Sequence, residues 1–342
     1  MKQDRLILVI KVFRRLAKLI SVCAYLGLIG LKRYNVEGSW PALVTPFDGA
    51  DDVNYEVLRR LVRFHAENRS NGVLLLGSTG EAILLTKEER RKIVDEVVDE
   101  ANGKIPVMCG VSAVSTKETV ENARYAKDAG VDCGLMVQPP YIKPTQGALY
   151  GYFKDVADAV DLPLVIYNNP ERAGVNVEPE TIARLAQHPN IVAVKEAGPN
   201  PYGVMRVVEL TRGEFNVLCC DCAFYALIPV VMASGGKGTS NVTGGLCPRE
   251  FAELSKPWES YRDVLTTREH LYRLLPLIRM MYSESNPVPL KAALNMVGAD
   301  VGKPRKPLLE LSEGNMATLR QTMERLGILD EDSYQKEYFS RR

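Results

Sequence analysis

Lys195 ends the apolar, β-branched run Ile191–Val194 within the stretch IVAVKEA. A run of this kind reads as a strand buried on both faces. Burial disfavours an ammonium, so it should lower the lysine pKa and leave part of it as free amine. A free amine is the form that condenses with a carbonyl to give a Schiff base. Taken alone, the same lysine could instead snorkel from the strand end to solvent. Three other groups have matching chemistry. Tyr167 ends the run LPLVIYN just before Asn168 and Asn169, and a buried phenol there needs a partner and can act as acid or base. GSTGE, Gly77 to Glu81, offers two hydroxyls and glycine-freed backbone N–H groups suited to a carboxylate, although it could be an ordinary turn with Ser78 or Thr79 capping the next helix. Arg172 lies five residues beyond Tyr167, between a proline and a glycine, placed for bidentate carboxylate binding or for solvent.

The elements that must carry these groups follow one recurring pattern from Ala42 onward: a short apolar run, a turn, then a helical stretch charged on one face. The runs are ALVTP from Ala42, VLLLG from Val73, IPVMCG from Ile105, CGLMVQ from Cys133, LPLVIYN from Leu162, IVAVK from Ile191, FNVLCC from Phe215 and GGKGTSN from Gly235. Helical segments include Tyr55 to Asn68, Lys87 to Ala101, Thr116 to Ala129 and Pro179 to Gln187, and Thr86 with Glu89 forms a capping-box signal. Alternating strand and helix means a parallel sheet. Eight units suit a closed (β/α)8 TIM barrel of the α/β class better than an open doubly wound sheet, which would carry a G-x-G-x-x-G after the first strand. The expected organisation is a basic, apolar leader at 1–35 outside the fold, a barrel at 36–258, and a C-terminal helical subdomain and tail at 259–342. In such barrels chemistry sits at the carboxyl ends of the strands. GSTGE, QPPY (Gln138 to Tyr141), YNNPER (Tyr167 to Arg172) and Lys195 all fall at those ends, on one mouth.

The composition narrows the alternatives. The 342 residues carry a net charge of +1, so no basic footprint points to nucleic acid. Seven cysteines, mostly inside apolar runs, fit reduced, cytoplasmic core thiols better than a disulfide framework. The cluster Cys219 to Cys222 lacks a second ligand pair at zinc spacing, and the three histidines, His65, His188 and His270, are unpaired. No metal site is expected, and proton transfer falls to tyrosine, carboxylate or lysine. The uncharged part of the leader, Leu19 to Leu31, is short for a bilayer span. A basic interfacial helix is the alternative, but a leader without membrane contact is the expectation.

GSTGE, YNNPERAG and VAVKEA, in this order and spacing, resemble the pyruvate-dependent class I aldolases of the dihydrodipicolinate synthase / N-acetylneuraminate lyase family. ESNPVPLKAAL from Glu284 and RKPLLELSE from Arg305 resemble the carboxyl-terminal region of the synthase branch. The likeness runs from about Val36 to Leu329. It implies that Lys195 forms the Schiff base with pyruvate, that Tyr167 shuttles protons, and that Ser78 and Tyr141 complete a relay, Tyr141 reaching into a neighbouring subunit. Thr79 and the N–H groups around Gly77 and Gly80 would hold the pyruvate carboxylate, with Ser240 also on the substrate. Arg172 would bind the carboxylate of aspartate semialdehyde, the second substrate on a route to lysine. The resemblance implies no cofactor beyond the covalent lysine adduct, small-molecule partners only, and a homotetramer or homodimer.

Some positions depart from the synthase pattern. Ser78 stands where synthases usually carry threonine, and Asn169 where a small apolar residue is more usual. Val114 and Pro140 stand where lysine-inhibited synthases tend to carry asparagine and tyrosine, so lysine feedback is not expected. The competing readings are another 2-oxo-acid aldolase or dehydratase of the same family, a barrel binding phosphate through GGKG at Gly235, and a non-catalytic barrel.

Overall fold

The computed structural model describes residues 34–340; the expected leader therefore lies, except for its last two residues, outside the described range. Eight parallel strands make the centre: β1 (Gly38–Ser39), β2 (Val73–Leu75), β3 (Val107–Gly110), β4 (Cys133–Val137), β5 (Leu164–Asn168), β6 (Ile191–Glu196), β7 (Asn216–Cys219) and β8 (Gly238–Thr239). Each pairs with its sequence neighbour from β2 to β8, and β8 pairs with β1. The ring closes just past β1, where Leu74 N–H donates to Pro41 O at 2.9 Å and Leu43 N–H to Leu74 O at 2.8 Å. This is the (β/α)8 barrel that the alternation of runs implied.

The strands form because their residues suit burial on both faces; every residue of β5 and β6 is buried. The first strand differs from expectation. The run from Ala42 does not make a regular strand, because Pro41 has no N–H to give the ladder. The regular pairing sits earlier, at Gly38–Gly238 and Ser39–Thr239. A Cβ on Gly238 would lie 2.2 Å from Gly38 O, so glycine is what lets the first and last strands meet.

Around the ring run α1 (Tyr55–Glu67), α2 (Lys87–Ala101), α3 (Thr116–Ala129), α4 (Gln146–Ala159), the short α5 (Pro170–Ala173), α6 (Pro179–Leu185), α7 (Pro201–Leu210), α8 (Leu227–Ala233) and α9 (Pro248–Leu254). The capping box at α2 forms as read, Thr86 and Glu89 satisfying each other's backbone N–H. Three helices follow, α10 (Tyr261–Met280), α11 (Val288–Met296) and α12 (Glu313–Arg325). A fourth, α13 (Tyr334–Ser340), forms in the stretch expected to be tail. Its Tyr338 and Phe339 rings pack 5.0 and 4.8 Å from Phe64 of α1, and the Arg60 guanidinium lies 5.1 Å from the Phe339 centroid. A few aromatics in a polar segment are a weak sequence signal, but the buried Phe339 ring and its aromatic contacts anchor it. Among the described residues no helix is long and apolar enough to cross a membrane.

The C-terminal helices grip the barrel mouth through buried charge. Lys291 of α11 and Glu81, the last residue of GSTGE, pair at 2.6 Å with side chains 1% and 0% exposed. Burial pulls the Lys291 pKa below its usual range against the opposing pull of Glu81. The Arg305 backbone N–H donates to Glu81 at 2.8 Å, while its guanidinium forks onto Glu89 of α2. Lys291→Met strands the Glu81 carboxylate in a dry site and should lower unfolding stability by about 3–5 kcal/mol. Urea unfolding of the variant checks this; a loss under about 1 kcal/mol would contradict it.

Candidate active site

Strands β5 and β6 are in register at Tyr167–Lys195, which brings phenol and amine side by side at the barrel mouth. Lys195 is 6% exposed, Tyr167 is 8% exposed, and Nζ lies 4.4 Å from the centroid of the phenol ring. Lys195 forms no ion pair among the described residues. The neighbouring Cys220 thiol is pushed up to about 12 by burial and stays neutral.

A cavity of about 210 Å³ opens over this pair, lined also by Ser78, Thr79, Asn169, Arg172, Ser240, Tyr282 and Asn286. Six of the residues expected from sequence thus meet in one place: Lys195, Tyr167, Ser78, Thr79, Arg172 and Ser240. Gly77 and Gly80 shape the loop behind it. Leu76 and Glu81, flanking the GSTG turn, both adopt left-handed backbone (φ 52° and 53°), a strained arrangement fixed by its surroundings. Gly80 N–H and Glu81 N–H bond back to Gly77 O and Ser78 O, both at 3.1 Å. The N–H groups of Ser78 and Thr79 have no acceptor among the described residues. Ser240 Oγ and Asn286 Oδ1 are likewise buried without partners. Two free N–H groups and two orphaned polar atoms around a buried amine make a site short of a small polar ligand.

Tyr141 stands apart. It is 93% exposed, with left-handed backbone (φ 73°), and does not line its own chain's cavity. No hydrogen bond joins Ser78 to Tyr167 among the described residues; the phenol oxygen instead accepts from Asn169 Nδ2 at 2.8 Å. The Arg172 guanidinium donates to Asn286 O at 3.4 Å.

Sequence reasoning missed the residues that build the rim from a distance. Asn286 Nδ2 donates to Thr79 Oγ1 at 2.9 Å, leaving the threonine hydroxyl hydrogen for another acceptor. Buried Asp221 accepts the backbone N–H groups of Val242 and Thr243 and, at 2.6 Å, the hydroxyl of Tyr282, so it fixes the loop that carries Ser240. Burial and this carboxylate push the Tyr282 phenol well above its ordinary value. The only signal for Asp221 in the sequence is an acid inside the CCDC cluster, where the cysteines are the more conspicuous residues.

A barrel with a buried lysine and a facing phenol at the strand ends carries the groups that imine-forming barrel enzymes use. The family model described as Dihydrodipicolinate synthetase family matches residues 35–326, and the chain belongs to that family. It is 41% identical over 300 residues to 4-hydroxy-tetrahydrodipicolinate synthase of Methanopyrus kandleri, covering 87% of this chain and 99% of that one. The structure superposes on dihydrodipicolinate synthase from Aquifex aeolicus with a TM-score of 0.81 at 37% identity, covering 86% of this chain and 99% of that one. It also superposes on the chloride-inhibited dihydrodipicolinate synthase from Acinetobacter baumannii complexed with pyruvate, with a TM-score of 0.80 at 33% identity over 86% of this chain and 100% of that one.

Beside the lysine, Glu196 points away from the cavity into a buried network. It accepts from Asn168 Nδ2 at 2.9 Å and from Gly198 N–H at 2.7 Å. Burial outweighs these bonds and raises its carboxyl from 4.5 to about 7. The folded state therefore holds a proton that the unfolded chain releases near pH 4.5, and stability from this group falls as pH rises through 7. Glu196→Gln cannot lose that proton, so the stability difference should move in the variant's favour by up to about 3 kcal/mol between pH 4 and 8. Denaturant melts of both proteins across that range measure it, and a difference independent of pH would contradict it.

Proposed function

We propose that this chain condenses pyruvate with aspartate 4-semialdehyde to 4-hydroxy-tetrahydrodipicolinate, the product for which its relatives are named. The observation that carries the reading is the buried, unpaired amine of Lys195 against the Tyr167 ring, under a cavity edged by free N–H groups. The pyruvate carboxylate sits on the N–H groups of Ser78 and Thr79 and on the Thr79 hydroxyl, with Ser240 Oγ on the same substrate. This leaves the ketone carbon facing Lys195 Nζ. Addition of the amine gives a carbinolamine. Tyr167 gives its proton to the carbinolamine hydroxyl, which leaves as water while the nitrogen lone pair closes the iminium. The resulting phenolate takes a proton from the substrate methyl, the phenol is restored, and the C–H electron pair becomes the enamine double bond. The iminium is the electron sink, so the protein needs no organic cofactor or metal for this step.

The enamine carbon attacks the aldehyde of the second substrate, whose carboxylate is held by Arg172 at the cavity edge. The substrate's own amine then displaces Lys195 by transimination and closes the ring. Ser78 and Tyr141 relay protons to solvent. Tyr141 does so from a neighbouring copy, which makes the active enzyme at least a dimer and accounts for a tyrosine held outward in strained backbone. The partners are then small molecules and further copies of this chain, and the compartment is the cytoplasm.

A coupled assay with pyruvate and aspartate semialdehyde tests the reading. Turnover should be found with the wild type and lost in Lys195→Ala. Arg172→Ala should raise KM for the semialdehyde about 10- to 100-fold while leaving KM for pyruvate nearly unchanged. Turnover of neutral sugar acids in place of the semialdehyde, or an equal effect of Arg172→Ala on both substrates, would overturn the assignment of the second substrate.

A further inference from the structure

Asn169 is 7% exposed, lines the cavity, and has both ends of its side chain engaged. Its Oδ1 accepts the backbone N–H of Arg172 at 3.1 Å, capping α5. A backbone N–H can only donate, so the amide orientation is fixed and Nδ2 must be the group facing Tyr167 Oη at 2.8 Å. The phenol oxygen therefore accepts, and its own hydrogen is free for the cavity. The backbone of Asn169 is tied as well: its N–H donates to Gln138 Oε1 at 3.4 Å and its carbonyl accepts from Ala173 at 3.0 Å.

Resting on the aldolase reading above, we infer that Asn169 is the positioning residue of the proton-transfer step: its Nδ2–H aims the Tyr167 hydroxyl into the cavity and stabilises the phenolate that forms when the carbinolamine loses water. A donor on the charged form favours that form, and a donor preorganised where charge develops lowers the barrier rather than tightening ground-state binding. The same side chain caps α5, the short helix that carries Arg172. One asparagine thus links the acid/base group, which acts on the first substrate, to the arginine that receives the second.

The test reads the first half-reaction alone: exchange of the pyruvate methyl hydrogens for deuterium, followed by proton NMR in D2O across a range of pD. Wild type, Asn169→Ala and Asn169→Asp are compared. Asp keeps an acceptor for the Arg172 N–H but replaces the donor with a negative charge. Exchange should slow about 5- to 50-fold in both variants, more in Asp than in Ala. The limb governed by the phenol should move to higher pD in both, further in Asp, with the half-saturating pyruvate concentration within about threefold of wild type. If the cap alone matters, Asn169→Asp will exchange at the wild-type rate, and that result overturns the inference. So does an unchanged rate and profile in Asn169→Ala. Absence of exchange in the wild type overturns the aldolase reading itself, and the inference with it.

Discussion

The constraint on which the site depends is an amine placed at the end of a strand with apolar packing on both faces and no carboxylate to neutralise it. Lys195 has that environment: 6% exposed, stacked on Tyr167 and outside every ion pair among the described residues. Contrast Lys291, buried more deeply but paired with Glu81. The two lysines share burial and differ in partner. One is locked in a charge pair that ties the C-terminal helices to the barrel; the other is left with a cavity in front of it. Burial without a counter-charge costs stability, and sites of chemistry are where proteins retain such groups.

The remaining architecture keeps that amine in reach of a ligand. The β5–β6 register sets the phenol against it, and two left-handed residues flank the GSTG turn, whose Ser78 and Thr79 line the cavity with N–H groups that have no acceptor among the described residues. That turn is held from behind by residues far away in sequence. Asn286 bonds Thr79, while Lys291 and the Arg305 N–H hold Glu81. The C-terminal helices are therefore part of the site's scaffold, and the boundary between barrel and appendage does not separate stability from function.

Much of this was legible in the sequence, for reasons specific to the residues. Eight apolar runs with helices between them leave few architectures, and the cap at Thr86–Glu89 marks a helix start without ambiguity. Lys195 and Tyr167 were legible because a polar group ending an apolar strand stands out, and Ser78, Thr79 and Arg172 because they sit in the polar turns that follow such strands. Asn286, Tyr282 and Asp221 were not, since each acts across more than sixty positions or through a loop, and nothing local distinguishes them from ordinary polar residues. The first strand was displaced by a single proline, and α13 was hidden because its one buried aromatic, Phe339, sits in an otherwise polar stretch. Asn169 is unusual at its position in the sequence, but its two side-chain hydrogen bonds depend on the turn at Pro170 and are not legible from spacing.

The most direct measurement is reductive trapping: full-length protein incubated with pyruvate and borohydride, then digested and mapped by mass spectrometry. The mass of one reduced pyruvate should appear on the peptide containing Lys195 and nowhere else, and Lys195→Ala should take up none. An adduct on another lysine, or no adduct at all with pyruvate in excess, would contradict the claim that this amine is the reacting group.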